Sequence, residues 1–132
     1  MNLALKKIGF AAAICFLLFA CENRHDVEIL EQETERIHDD AMRDMAEMNR
    51  IGRSLKKDTT GTASRRDSIA AVLLQMTDAE ADMMAWMTGY RAPKDKPKAE
   101  AIQYLTDQKT KIEQNQKDIR AALEAGKTLV KK

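Results

Sequence analysis

Apolar and polar positions recur with a helical period over three stretches of this chain. In the first stretch an apolar or small residue returns every three or four positions, which predicts an amphipathic helix over residues 27–57. The positions on this face are Val27, Leu30, Thr34, Ile37, Ala41, Met48, Ile51 and Leu55. Asp44 interrupts the face near its middle.

The second stretch predicts a helix over residues 65–90. Ser64 and Asp67 have the spacing of a capping box at its start. Gly89 and Pro93 lie where helices commonly end, because glycine accepts the terminal turn and proline cannot continue the helix. The apolar positions of this stretch are Ile69, Val72, Leu73, Met76, Ala79, Met83, Trp86, Met87 and Tyr90.

The third stretch predicts a helix over residues 98–130, and no strand pattern competes with these three helices. Its inward positions are Ile102, Leu105, Ile112, Ile119, Leu123, Leu129 and Val130. Short connections between amphipathic helices predict an all-α fold, an antiparallel three-helix bundle with up-down-up topology over residues 27–132. The alternative is a long helical hairpin that dimerises, because Asp44 and the central amides of the third helix suit a closed monomer core poorly.

The first 21 residues, MNLALKKIGFAAAICFLLFAC, have the three parts of a secretory signal. Lys6 and Lys7 precede an apolar run that is shorter than the roughly 20 residues of a membrane-spanning helix. The run ends in a segment that resembles a bacterial lipobox, which predicts a cleaved signal peptide over residues 1–20 and acylation of Cys21. Residues 21–26 then form a lipidated tether. By resemblance to enteric lipoprotein sorting, Glu22 points to the outer membrane, and the sequence leaves the periplasmic or surface orientation open.

Charge excludes one class of function and suggests how two helices pack. Loss of Lys6 and Lys7 leaves 20 of the 22 basic residues against 21 acidic ones, so the mature chain is nearly neutral and is not expected to bind nucleic acid. Residues 22–57 carry 10 acidic and 7 basic residues, whereas residues 98–132 carry 5 and 8. The first and last helices should therefore attract each other when they are packed side by side.

Methionine, histidine and tryptophan are concentrated in two of the helices. Soft thioether and imidazole ligands favour Cu(I), so a metal site is one interpretation. Its candidate ligands are His38, Met42, Met45, Met83, Met84 and Met87. A second interpretation is core packing, because methionine fills irregular gaps in a domain whose phenylalanines all leave with the signal. A third is an adaptable partner-binding surface formed by Met83, Trp86, Met87 and Tyr90.

These stretches also resemble a known group of sequences. The pattern comprises His38, Asp39, Met42 and Met45, then Ala81, Met83, Met84, Trp86 and Met87, and finally Tyr104 and Leu105. It is similar to small, uncharacterised lipoproteins of Bacteroidetes-type bacteria that are often labelled "viral A-type inclusion protein repeat". The resemblance covers nearly the whole mature chain. It implies a lipoprotein location and a helical architecture, and it implies no activity.

Catalysis is not expected from this sequence. The mature chain has no free cysteine once Cys21 is acylated, no glycine-rich phosphate loop, and only His25 and His38 as histidines. We therefore expect a protein held on the membrane by its N-terminal lipid that binds another envelope protein, in a structural or chaperone-like role. The sequence leaves open whether it also forms a homodimer. No cofactor is expected apart from the acyl chains attached to Cys21. Handling of Cu(I) in the periplasm is the alternative function.

Overall fold

The computed structural model describes the backbone of residues 2–130 and the side chains of residues 25–130. Within that range the chain consists of α1 (Asn2–Lys57), α2 (Ala63–Gly89) and α3 (Lys98–Val130), without a strand. The all-α class and the three-helix bundle are confirmed, and the alternative hairpin is not the fold adopted. The predicted signal peptide over residues 1–20 and the acylation site Cys21 lie outside the described side chains.

The observed ends of the helices agree in part with the ends predicted from the sequence. α1 ends at Lys57 and α3 begins at Lys98, as predicted. At the other end of α1, His25 and Asp26 are helical, although they were assigned to the tether. α2 ends at Gly89, where the N–H of the next residue donates to the carbonyl oxygen of Trp86 at 2.8 Å.

The predicted capping box at Ser64 is wrong, because α2 starts one residue before that serine. Thr62 is the N-cap, and its side-chain oxygen accepts a hydrogen bond from the backbone N–H of Arg65 at 3.2 Å. Gly61 has a φ of +96°, a conformation that side chains with a Cβ rarely adopt. This glycine lets the connection turn directly into the cap, which explains the earlier start.

Ion pairs show that α1 and α3 run parallel, with the acidic helix beside the basic one. From one ion pair to the next, the residue numbers increase in both helices. The pairs are Asp26 with Lys98 at 2.9 Å, Glu33 with Lys109 at 2.7 Å, Asp44 with Arg120 at 2.7 Å, and Glu47 with Lys127 at 3.2 Å. The predicted attraction between these segments is confirmed. α1 and α3 also share the most extensive interface of the bundle.

α2 runs antiparallel to both of its neighbours. Asn49 of α1 donates a hydrogen bond to Glu80 of α2 at 3.4 Å. Three residues later in α1, Gly52 faces Met76, which lies four residues earlier in α2. Asn115 of α3 donates to the carbonyl oxygen of Asp82 at 3.3 Å. The helices therefore have the up-down-up order that the short connections predicted.

A methionine-rich core fills the space between the helices. Its largest fully buried side chains are Met48, Leu55, Met83, Leu105, Ile112, Ile119 and Thr34. Each large apolar side chain buried in this way contributes about 1.5–3 kcal/mol to folding. The hydroxyl of Thr34, the polar member, donates to the carbonyl oxygen of Leu30 at 2.8 Å and is satisfied within its own helix. Asp44 lies at the edge of this core, where its ion pair with Arg120 removes the difficulty that favoured a hairpin.

Candidate partner-binding cleft

The predicted metal ligands divide between the core and the surface. Met45 and Met83 belong to the hydrophobic core, with Met83 fully buried, and Met42 packs against it. Met84 and Met87 of α2 are 50% and 38% exposed. Burial of the first group is the arrangement that core packing predicts. Within the side chains that the structure describes, no three histidine, cysteine, aspartate or glutamate residues are grouped so that they could hold a metal ion.

The aromatic side chains form a continuous row across the bundle. His38 of α1 stacks on Trp86 of α2 with ring centroids 5.6 Å apart, and Trp86 stacks on Tyr90 at 4.8 Å. Tyr90 in turn stacks on Tyr104 of α3 at 6.3 Å. Trp86 and Tyr90 are four residues apart, so they are neighbours on one helix face. We call His38, Trp86, Tyr90 and Tyr104 the aromatic row.

A cleft opens beside this row, between α1 and the C-terminal turns of α2. It has a volume of about 240 Å³, and we call it the aromatic cleft. Its lining residues are Glu35, His38, Trp86, Met87 and Tyr90. Three of the four predicted partner-binding residues therefore line one cleft, whereas the fourth, Met83, is a core residue.

Polar atoms of the cleft residues are left without hydrogen bonds. Among residues 25–130, buried atoms that have no partner are the Nε2 of His38, the Nε1 of Trp86 and the hydroxyl of Tyr90. A buried donor or acceptor without a partner costs about 1–3 kcal/mol. Native proteins keep few such groups, and each one calls for an explanation. Here they come from adjacent residues around one cleft.

The contact with Asp39 indicates which ring nitrogen of a neutral His38 carries the proton. The Nδ1 of His38 lies 3.1 Å from a carboxylate oxygen of Asp39, which accepts hydrogen bonds only. Nδ1 therefore carries the proton of the neutral ring, and Nε2 is left with a free lone pair. The buried unpaired atoms of the cleft residues are thus an acceptor on a neutral His38 and donors on Trp86 and Tyr90.

Tyr90 lies in a negative field. Its burial raises the pKa of the phenol to about 12, and the carboxylates of Glu31 and Glu35 on α1 add to that increase. Arg91, the residue that follows, is engaged elsewhere, because its guanidinium donates to the carbonyl oxygens of Thr88 and Tyr90. The cleft is therefore both aromatic and electronegative.

The other end of the row is closed by the connection to α3. The backbone N–H of Arg91 donates to the hydroxyl of Tyr104 at 3.0 Å. This bond holds the chain leaving α2 against α3 and keeps Tyr104 behind Tyr90. Tyr104 is thus a support for the cleft rather than part of its opening.

Sequence reasoning missed the acidic residues of this site. Glu31 and Glu35 lie seven and three positions before His38, which places all three on one side of α1. That spacing was visible in the sequence, whereas the approach of α2 to this side was not. The pairing of His38 with Trp86, which lie 48 positions apart, depends on the tertiary fold.

Comparisons with known proteins add no family to these observations. No protein-family model matches the chain, and no match was found among curated proteins or solved structures. The resemblance to Bacteroidetes-type lipoproteins thus stays a prediction. Among the residues that the structure describes, no helix is both long and apolar enough to cross a membrane.

Proposed function

We propose that this chain is a lipid-anchored helical bundle of the cell envelope that binds a protein partner in its aromatic cleft and acts without catalysis. The observation that carries the proposal is the set of unsatisfied polar atoms on aromatic side chains around one cleft. Tryptophan and tyrosine are common anchors of protein interfaces, because they combine a large apolar surface with a polar tip.

The energetics of the cleft support binding. The unpaired atoms of Trp86 and Tyr90 are buried, so a partner that shifted these rings and bonded to either atom would recover part of the free energy lost there. Met87, which lines the cleft, and Met84, which precedes it by three positions on α2, expose flexible thioether side chains, which adapt to partners of different shapes. Exposed apolar surface beside a concave site is typical of an interaction surface.

The proposed anchor rests on the N-terminal sequence. The lipobox-like segment before Cys21 supports acylation of its thiol, and acyl chains hold a protein on a membrane without a spanning helix. The outer membrane is the proposed location, on the grounds of Glu22. In this arrangement the bundle would present its cleft to proteins near the membrane surface.

Photo-crosslinking in the native bacterium tests the proposed binding. A photoreactive amino acid at Met87 should give a discrete crosslinked species, whereas the same amino acid at Lys117, on the exposed side of α3, should not. The additional substitution Trp86→Ala should abolish the crosslink while the protein level stays unchanged. Equal crosslinking from both positions, or none from Met87, would contradict a cleft-specific partner.

Metabolic labelling with an alkyne-tagged fatty acid tests the anchor. The full-length chain should incorporate the label and fractionate with membranes, and Cys21→Ser should lose both properties. The variant Cys15→Ser is the matched control, because it removes a thiol of the signal peptide and should retain the label. An unlabelled parent chain would rule out the lipoprotein assignment.

A further inference from the structure

Two acidic side chains near the aromatic cleft differ in their partners from the carboxylates of α1 that face α3. Glu33, Asp44 and Glu47 form ion pairs with lysine or arginine side chains of α3. In contrast, Glu31 and Glu35 form no ion pair with any cation of residues 25–130, although Glu35 lines the cleft. The carboxylates that face α3 are thus paired with cations, whereas, within the described part of the chain, the carboxylate of Glu35 leaves an unpaired negative charge at the cleft.

This negative charge reaches Tyr90, one of the residues that line the cleft. The carboxylates of Glu31 and Glu35 both contribute to the raised pKa of Tyr90, so their field extends from α1 to the aromatic ring on α2. A positive charge placed between α1 and Tyr90 would be attracted by the same field. A second carboxylate there would be repelled.

The shape of the cleft suits a long side chain with a charged end. Trp86, Tyr90 and Met87 offer apolar and aromatic surface along its wall, and Glu35 offers a carboxylate at the same opening. Lysine and arginine lay their methylene stems along apolar surface while the charged end reaches a polar group. Ring systems also attract such cations electrostatically. Glutamate, aspartate and purely apolar side chains would use only part of this site.

We infer that the partner segment recognised by the aromatic cleft is basic, and that it inserts a lysine or arginine side chain between Glu35 of α1 and the Trp86–Tyr90 face of α2. This inference rests on the proposed function and specifies the chemistry of the partner. The side-chain stem packs on Trp86 and Met87. The charged end bonds to Glu35, and the field of Glu31 adds to the attraction.

Trp86 makes the inference directly measurable, because it is the single tryptophan of the chain and lies in the cleft. The full-length chain in nonionic detergent is titrated with short capped peptides in which lysine or arginine alternates with glycine, and the emission of Trp86 is recorded. Matched peptides carry norleucine or glutamate at the same positions. The basic peptides should produce a saturable change that weakens with added salt, and the norleucine and glutamate peptides should not.

Charge variants test the assigned contact. Glu35→Gln should raise the dissociation constant of the lysine peptide about fivefold, the size expected when a partly exposed charge pair is lost. Asp67→Asn is the matched control, because it removes the same charge from an exposed position at the other end of α2 and should leave binding unchanged. Both substituted side chains are exposed, so the bundle should stay folded, which circular dichroism verifies.

The outcomes separate this inference from the proposed function. Equal responses to the norleucine and lysine peptides would overturn it in favour of an apolar site, and no response to basic peptides would also overturn it. If the Met87 crosslink persists in either case, the proposed partner binding stands and only the basic partner is excluded. If basic peptides bind but no Met87 crosslink forms in cells, the cation site stands and the proposed cellular role fails.

Discussion

The carboxylate of Asp44 in α1 accepts a hydrogen bond from the Nε of Arg120 in α3 at 2.7 Å, at the edge of the methionine-rich core. The two residues are 76 positions apart, the same separation as Glu33 and Lys109. The other two ion pairs between α1 and α3, Asp26 with Lys98 and Glu47 with Lys127, differ from this separation by about one helical turn, as expected for long side chains that join two parallel helices in a fixed register. Asp44 therefore contributes to the register of α1 against α3 instead of being a misplaced polar residue in an apolar face.

Loss of this pair should destabilise the bundle modestly. Asp44→Ala or Arg120→Ala should lower the free energy of unfolding by about 0.2–1 kcal/mol, because the pair is partly exposed to water. Urea denaturation of the chain without its first 21 residues measures this, and the double variant gives the coupling energy. The coupling should shrink at high salt. Strictly additive losses would show that the two side chains do not stabilise each other.

A helical glycine of α3 should resist substitution despite its low helix propensity. A Cβ at Gly126 would lie 2.8 Å from the Cγ2 of Ile51, a rigid β-branched neighbour, and would also meet the Cε of Met76. Overpacking of this kind costs about 1–3 kcal/mol, which exceeds the gain of up to about 1 kcal/mol from replacing glycine in a helix. Gly126→Ala should therefore lower the thermal midpoint.

Gly89 provides the matched control for that substitution. It ends α2, and a Cβ there would meet nothing within 4 Å. Gly89→Ala should leave the thermal midpoint unchanged or raise it slightly, since only the propensity gain applies. Equal shifts in the two variants would mean that the contact of α3 with α1 at Gly126 is looser than the structure shows.

The α1–α2 connection should make folding sensitive to acid. Hydrogen bonds from the side chain of Thr60 and from Arg65, together with the Thr60 backbone N–H, lower the pKa of Asp58 from 3.8 to about 2. A carboxylate whose pKa is lower in the folded state stabilises the fold above pH 3.8, and this stabilisation is lost as the pH falls toward 2. Arg65 also donates to the carbonyl oxygen of Leu129, so the pair ties the connection to α3.

Asp58→Asn tests this pH dependence. Urea midpoints measured from pH 7 to pH 2 should fall less steeply between pH 4 and pH 2 in the variant than in the parent. Asp95→Asn, at an exposed position in the connection before α3, is the control and should keep the slope of the parent. An unchanged slope in Asp58→Asn would show that the Thr60 and Arg65 bonds do not hold in solution.

Copper binding distinguishes the two interpretations of the methionines. Since Met45 and Met83 are core residues, a Cu(I) site that used them would have to open the core, so we expect no tight binding. Anaerobic titration against a chromophoric Cu(I) chelator measures this. Tight stoichiometric binding by the parent that is lost in His38→Ala with Met42→Ala would instead favour copper handling.

The local features of the fold were readable from the sequence because they depend on neighbours along the chain. The period of apolar positions predicted three helices, and Gly89 with Pro93 predicted the end of the second. The uneven charge of the first and last helices predicted their attraction. The cap of α2 was misplaced because Ser64 and Thr62 are both suitable capping residues, and the positive φ of Gly61 decided between them.

The site required the tertiary structure. The sequence placed Trp86, Met87 and Tyr90 on α2 and His38 on α1, but it contained no sign that Glu35 would stand opposite them. Which methionines are core and which are surface also depended on the rotation of each helix against its neighbours, since Met83 and Met84 are adjacent in the chain and opposite in burial. Helix formation is decided by local periodicity, whereas the cleft is decided by the packing of segments that lie about 50 residues apart.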